Sequence, residues 1–449
     1  MQKSKTPIAD FVKNYEASGM TRFHMPGHKG RTFLGCESLD ITEIKGADSL
    51  YEAAGIIAES ERNATELFGS KATFYSTEGS SQCIRAMLYL ALLNYEKKNG
   101  RRPVIAAARN VHKAFVYAAA LLDFDVQWLW PAESQNSLCS CPITAENLES
   151  TLDDNSEGIV AVYLTSPDYL GQMADIKAIA EVCHKRNILL LIDNAHGAYL
   201  HYLEKPLHPL DLGADMCCDS AHKTFPVLTG GAYLHLNKTI SEETVRQAKY
   251  ALELFGSTSP SYLTMASLDL CNEYLSQGYR ERLAEAVKKI DKIRENLREN
   301  GWQIEKTDPF RITFSMPEGL SGEQFAGQLR DQGIECEYAD QEYLVLMVTL
   351  ENSDKDYEKL LKAAGKNERV YRSFPKLPAA KAVQKMSVRE AMFTRSEIVA
   401  AKDAVGRICR TPTVSCPPAI PVAVPGECIE QNAADIFLYY GIEFVDVVG

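Results

Sequence analysis

The sequence predicts an α/β protein, with a mainly parallel sheet flanked by helices and a smaller α+β region after it. Three observations carry that expectation. Between about residue 60 and residue 240, short β-rich runs alternate with helical patterns, which is the order of βαβ units. The runs Val104–Ala108, Ile159–Leu164 and Ile188–Ile192 are apolar throughout, as strands covered on both faces are. Between the last two, Ile176–Arg186 has helical period and ends in cations that suit a helix C-terminus. Strand, helix and strand then form one βαβ unit.

The remaining elements follow in chain order. Ser241 to about Asn300 reads as mostly helical, including the strongly charged stretch Tyr279–Asn300. Trp302–Leu350 mixes short strands with a helix over Gly322–Gln332, the pattern of a small α+β domain. Lys366–Ala382, rich in basic residues, Pro and Ala, reads as a linker. The prolines and glycine of Cys416–Glu427 exclude a helix and predict an extended, packed segment.

Length and composition bound the function. At ~150 residues per domain, 449 residues make two or three structural units. Apolar runs such as Ala86–Leu93 are less than half the ~18 residues of a membrane span, and the N-terminal residues carry no secretory pattern. The net charge of −12 argues against a nucleic-acid or anionic-membrane surface. None of the 12 cysteines falls in a C-x-x-C pair, and Cys139/Cys141 and Cys217/Cys218 have the wrong spacing for a zinc ribbon. Reduced thiols in a soluble, cytoplasmic protein are expected. His24 and His28 stand at i, i+4, but Pro26-Gly27 between them breaks the helix that would align them on a metal.

Three features carry chemistry, each placed where an open α/β sheet puts its ligand. Ser76-Thr77-Glu78-Gly79-Ser80-Ser81 precedes a helical run, and small hydroxyl residues with a glycine at a helix start suit a phosphate. The same pattern also makes an ordinary helix cap. Asp193 follows a strand directly, where a carboxylate can cap a loop, bind metal or pair with a cationic cofactor atom. Lys223, within Asp219-Ser220-Ala221-His222-Lys223-Thr224, can form a Schiff base or be a surface lysine. Their order along the chain narrows these choices.

In that order, with several further strings, the sequence resembles the Orn/Lys/Arg decarboxylases, pyridoxal-phosphate (PLP) enzymes of the aspartate-aminotransferase fold. The strings are Phe23-His24-Met25-Pro26-Gly27-His28-Lys29-Gly30, Arg109-Asn110-Val111-His112-Lys113, Ser220-Ala221-His222-Lys223-Thr224, Ser257-Thr258-Ser259-Pro260-Ser261-Tyr262 and Pro417-Pro418-Ala419-Ile420-Pro421 with Pro425-Gly426-Glu427. They span nearly the whole chain, which looks like the family's short form. The resemblance implies an N-terminal arm over 1–45, a large PLP-binding domain over 46–275, a small α+β region over 276–365, and a linker with a C-terminal decarboxylase-type domain over 366–449.

It also implies roles. Lys223 would hold PLP as a Schiff base, Asp193 would pair with the pyridine nitrogen, and His112 would stack on the ring. Gly79, Ser80 and Ser81 match the phosphate loop, while Ser220 and His222 match partners of phosphate and Schiff base. His196 stands where the family has Trp or His beside the cofactor. Thr258 or Ser259 would reach a neighbouring subunit's phosphate, so a homodimer or larger assembly with shared sites is implied. Glu427 would recognise the distal cation of an amino-acid substrate. Two positions depart from the family: Glu78 replaces an Asn in the phosphate loop, and Asp168-Tyr169-Leu170 replaces a smaller, more polar run. An outward-turned Glu78 is favoured, because backbone N–H groups serve the phosphate whatever that side chain does. The implied activity is decarboxylation of arginine, lysine or ornithine. The alternatives are another PLP reaction on the same fold, such as transamination or C–C or C–S lysis, and a non-catalytic PLP-fold scaffold.

Overall fold

The structure is a computed structural model and describes residues 4–93, 95, 102–133, 135–154, 158–374, 376–377, 382–414 and 419–449. The chain forms two compact units, Met1–Tyr95 with Leu189–Ala284, and Glu96–Ile188 with Glu285–Gly449.

In the first unit, four strands lie in the order Ala72–Ser76, Ala232–Leu236, Met216–Asp219 and Leu189–Asp193. The last two are parallel, as expected for the apolar run Ile188–Ile192. Ala232–Leu236 is antiparallel to both of its neighbours. Its direction was not foreseen and has a simple cause. After Met216–Asp219 the chain makes only the short helix Ala221–Thr224 before turning at Gly230-Gly231, and a return without a long crossover runs antiparallel. Helices Pro7–Ala17, Ile56–Phe68 and Tyr262–Ser276 are tied together by Asp269. Its buried carboxylate accepts the N–H groups of Ile8 and Ala9 and the Ser60 hydroxyl. Helix Ser80–Leu92 packs on Glu242–Glu253.

In the second unit, Ile159–Thr165, Val104–Ala108 and Asp125–Leu129 are parallel neighbours in that order. Helix Ile176–His184 starts at an Asp175 cap and stops slightly short of its expected end. A four-stranded antiparallel sheet has the order Tyr338–Ala339, Tyr343–Met347, Arg311–Ser315 and Gln303–Ile304. Beside it, helix Gly322–Asp331 begins at a Ser321/Gln324 capping box. Two small strand pairs close the chain, Ser396–Ala400 with Phe444–Val448 and Thr413–Val414 with Pro421–Ala423. Their core includes Cys409, Val422, Phe437 and Val447. The expected extended segment is seen in Pro421–Ala423, while Cys416, Pro417 and Pro418 lie outside the described residues. The described part of Lys366–Ala382 has neither helix nor strand. Among the described residues, no helix is long and apolar enough to cross a membrane.

Candidate active site

Strand Ala72–Ser76 hands over to helix Ser80–Leu92 through a turn that only glycine fits comfortably. Gly79 has φ +72° in open space, so conformation rather than crowding selects it. Its N–H donates to the Gly230 carbonyl at 2.7 Å. Gly230, at φ +94°, lies so close that a Cβ there would stand 2.5 Å from the Thr77 carbonyl oxygen. Ser80 and Ser81 open the helix, where N–H groups and the dipole present positive charge. Ser220 Oγ donates to Ser80 Oγ at 2.9 Å. Gly79, Ser80, Ser81 and Ser220 therefore belong to one linked pair of turns.

Strand Leu189–Asp193 ends on a carboxylate that is 3% exposed. Asp193 Oδ1 accepts the Ala195 N–H at 3.1 Å, and the Cys218 thiol lies 3.7 Å away. The turn that follows carries buried His196, whose Nε2 stands 2.8 Å from Lys223 Nζ. His222 is held by its Nδ1 and its backbone N–H, both directed at the Gly231 carbonyl, at 3.0 and 3.2 Å. A carbonyl only accepts, so Nδ1 carries a proton and Nε2 is the nitrogen that can gain one. Burial pushes the Cys217 and Cys218 thiols well above their ordinary range, in keeping with packing roles.

Thr258 and Ser259 are exposed in the same unit. Their loop is held by Glu78, whose carboxylate accepts the Ser257 N–H. The phosphate-loop departure is thus spent on ordering a second loop. His24 and His28 are engaged by Tyr15 and Asp40.

The other two expected residues lie in the second unit. His112 caps helix Lys113–Leu122, its Nδ1 accepting the Ala114 N–H at 3.1 Å, and Lys113 N–H donates to the Ala419 carbonyl. Glu427, expected to meet a substrate cation, is 2% exposed. Its Oε2 accepts from Arg109 Nη2 at 2.8 Å and from the Val424 N–H at 2.7 Å. The Arg109 guanidinium also lies over Trp128 and Trp130, 4.7 and 5.5 Å from the ring centroids. Burial raises the Glu427 carboxyl above its ordinary range, against the pull of Arg109. Arg109 and Asp219 are among the residues that the sequence analysis quotes within strings without a role. The signal for Asp219 was its place at a strand end immediately before Ser220.

Comparison with solved structures gives the class first. The constitutive lysine decarboxylase of E. coli has a TM-score of 0.79, covering 99% of this chain and 82% of that one at 17% identity. Lysine decarboxylase A of Pseudomonas aeruginosa has a TM-score of 0.81, covering 99% and 80% at 16% identity. The fold is that of the aspartate-aminotransferase group, as the sequence implied. Residues 6–332 match the Orn/Lys/Arg decarboxylase major domain, and residues 366–443 match the C-terminal domain of the same family. The chain belongs to the Orn/Lys/Arg decarboxylase family, and its reaction class is decarboxylation of basic amino acids. It is 28% identical to the arginine decarboxylase of Halalkalibacterium halodurans over 97% of this chain and 93% of that protein. With the arginine decarboxylase of Bacillus subtilis the figures are 28%, 97% and 94%.

Proposed function

We propose that this chain binds PLP on Lys223 and decarboxylates arginine in preference to lysine or ornithine. The 2.8 Å contact between Lys223 Nζ and His196 Nε2 carries the reading, because it sets a lysine amine against an imidazole in the unit that also holds Asp193 and the Ser80/Ser220 turns. The donor set fits PLP. Gly79, Ser80, Ser81 and Ser220 offer N–H and hydroxyl donors suited to a phosphate. Asp193 offers a buried anion suited to a protonated pyridine nitrogen, and Lys223 offers an amine suited to an aldehyde. When bound, PLP supplies an electron sink for the pair left as CO₂ departs.

The protein's own part is to orient and to move protons. His196 Nε2, 2.8 Å from Lys223 Nζ, can accept a proton from the lysine ammonium or donate one to the free amine. His222, fixed by Gly231, holds its Nε2 as a second acid–base group beside Lys223. His112, at its helix start, is proposed to cover the ring face. Thr258 and Ser259, exposed on the loop held by Glu78, are proposed to reach a neighbouring subunit's phosphate in a homodimer or larger assembly. Glu427 enters through Arg109, with which it is paired, rather than by meeting the substrate itself. The described cysteines are free thiols, which supports a reducing, cytoplasmic setting. Arginine is placed first because the two arginine decarboxylases aligned over 97% of this chain are 28% identical to it, against 16–17% for the lysine decarboxylases of like fold.

The test is CO₂ release from carboxyl-labelled arginine, lysine and ornithine with added PLP. Release from arginine with kcat/KM at least about tenfold above the other two is expected. Keto-acid formation without CO₂ would point to transamination, and no turnover of any amino acid to a scaffold.

A further inference from the structure

Behind the Ser220–Lys223 turn, the strand Met216–Asp219 ends on a carboxylate with no exposure. Asp219 Oδ2 accepts from His208 Nε2 at 3.0 Å and from His235 Nε2 at 3.2 Å. Its Oδ1 accepts from Asn194 Nδ2 at 2.7 Å. Both imidazoles are fully buried. The Leu210 N–H donates to His208 Nδ1 at 3.4 Å, so that ring's remaining proton sits on Nε2. On the other side, Ser70 and Thr73 hydroxyls and His235 Nδ1 are linked at 2.8 Å each. The polarity that satisfies the carboxylate runs from Ser70 through Thr73 and His235 to Asp219. Burial raises the Asp219 carboxyl, yet the two histidines more than offset it and hold it below its ordinary range. His208, Cys217 and Asp219 also lie close enough to suggest a metal site. Protonated Nε2 atoms and a thiol pushed up by burial are poor ligands, so the hydrogen-bond network is the better account.

Asp219 touches both turns of the site. Asn194, which it holds, directly follows Asp193 and is wedged in place: a Cβ at Gly197 would stand 2.1 Å from Asn194 Oδ1. Ser220, which meets Ser80, directly follows Asp219. We propose that Asp219, clamped by His208 and His235, is a positioning residue that keeps the Asp193–Gly197 and Ser220–Lys223 turns in register, so that Lys223 stays on His196. This rests on the reading of Lys223 as the PLP lysine.

The full chain with PLP tests it through Asp219→Asn, whose amide nitrogen cannot accept an N–H. We expect kcat to fall about tenfold or more with KM within about threefold. PLP affinity, titrated by cofactor absorbance, should weaken about fivefold or more. The pH midpoint of the bound-cofactor absorbance should move as well, a readout that a merely structural role leaves in place. If Asp219→Asn does not fold, His235 carries the test. His235→Gln, which keeps a neutral donor, should retain kcat and PLP affinity within about threefold, and His235→Leu should lose both by about tenfold. Unchanged kcat, affinity and midpoint in Asp219→Asn would overturn the proposal. Equal behaviour of His235→Gln and His235→Leu, or one transition metal per chain by elemental analysis, would overturn it too. Borohydride reduction and peptide mapping of the wild-type chain keep the two readings apart. A label on Lys223 with an unaffected Asp219→Asn defeats the positioning role alone, whereas a label on another lysine defeats the assignment beneath it.

Discussion

Glu427→Gln separates two roles for one carboxylate. Glu427 and Arg109 have side chains 2% and 10% exposed and meet at 2.8 Å. Removing one partner of a buried pair costs about 3–5 kcal/mol, because the other charge is left without compensation. Glutamine keeps an oxygen that can accept the Val424 N–H, so the low end, about 3 kcal/mol, is expected. The assay is urea unfolding followed by tryptophan fluorescence. It is local here, because two of the chain's three tryptophans, Trp128 and Trp130, flank the Arg109 guanidinium. The midpoint should fall in Glu427→Gln and in Arg109→Gln. The double variant should be less destabilised than the sum, with a coupling of about 1–3 kcal/mol. At concentrations where the variant is folded, KM for arginine should stay within about threefold. If instead the midpoint holds and KM rises about tenfold or more, Glu427 meets the substrate and the pairing argument fails.

Three further outcomes follow from the same geometry. Asp193→Asn should retain PLP but lose about 100-fold or more in kcat, since a neutral amide no longer favours a protonated ring nitrogen; a variant within about threefold of wild type removes Asp193 from that role. Glu78→Asn should leave PLP affinity within about threefold, because the carboxylate serves the Ser257 N–H. Tightening of about five- to thirtyfold would mean that it faces the phosphate. Burial raises the Asp168 carboxyl to about 7, against the opposing Gln172 N–H and Arg311. A folded value above the unfolded one means that the folded state binds the extra proton, so this contribution is full below about pH 4 and is lost as pH rises through about 7. Wild type should therefore lose about 2 kcal/mol relative to Asp168→Asn between pH 5 and pH 7 in urea titrations; parallel curves would show that Asp168 does not titrate there.

What the sequence made legible has a physical pattern. Val104–Ala108 was read with its bounds because a doubly covered strand must be apolar at every position. The helix read over Gly322–Gln332, which ends one residue earlier at Asp331, was legible because its cap and period are local. The Lys223 turn was legible because its residue types are adjacent in the chain. The direction of Ala232–Leu236 was not, since nothing within the strand records which way its neighbours run. Arg109 and Glu427 are 318 positions apart, and neither residue announces that its charge is consumed by the other. In the sequence His208 and His235 are two isolated histidines, and only the folded chain sets both Nε2 atoms on one oxygen.

The choice of partner for Asp219 has its own logic. The Leu189–Asp193 and Met216–Asp219 strands pair Asp193 with Cys218, so Asp219 lies one residue beyond that pair on the neighbouring strand. Two carboxylates so placed, both nearly inaccessible, each need compensation. An arginine or lysine on Asp219 would satisfy it, but would also set a fixed cation close to the carboxylate proposed to hold a protonated ring nitrogen, weakening that hold. Imidazole and amide N–H donors satisfy Asp219 without a fixed cation, and burial holds His235 below its ordinary range. On this argument, replacing His235 with Lys should harm the site even if the lysine reaches Asp219, because the new cation would draw on the same field that Asp193 supplies.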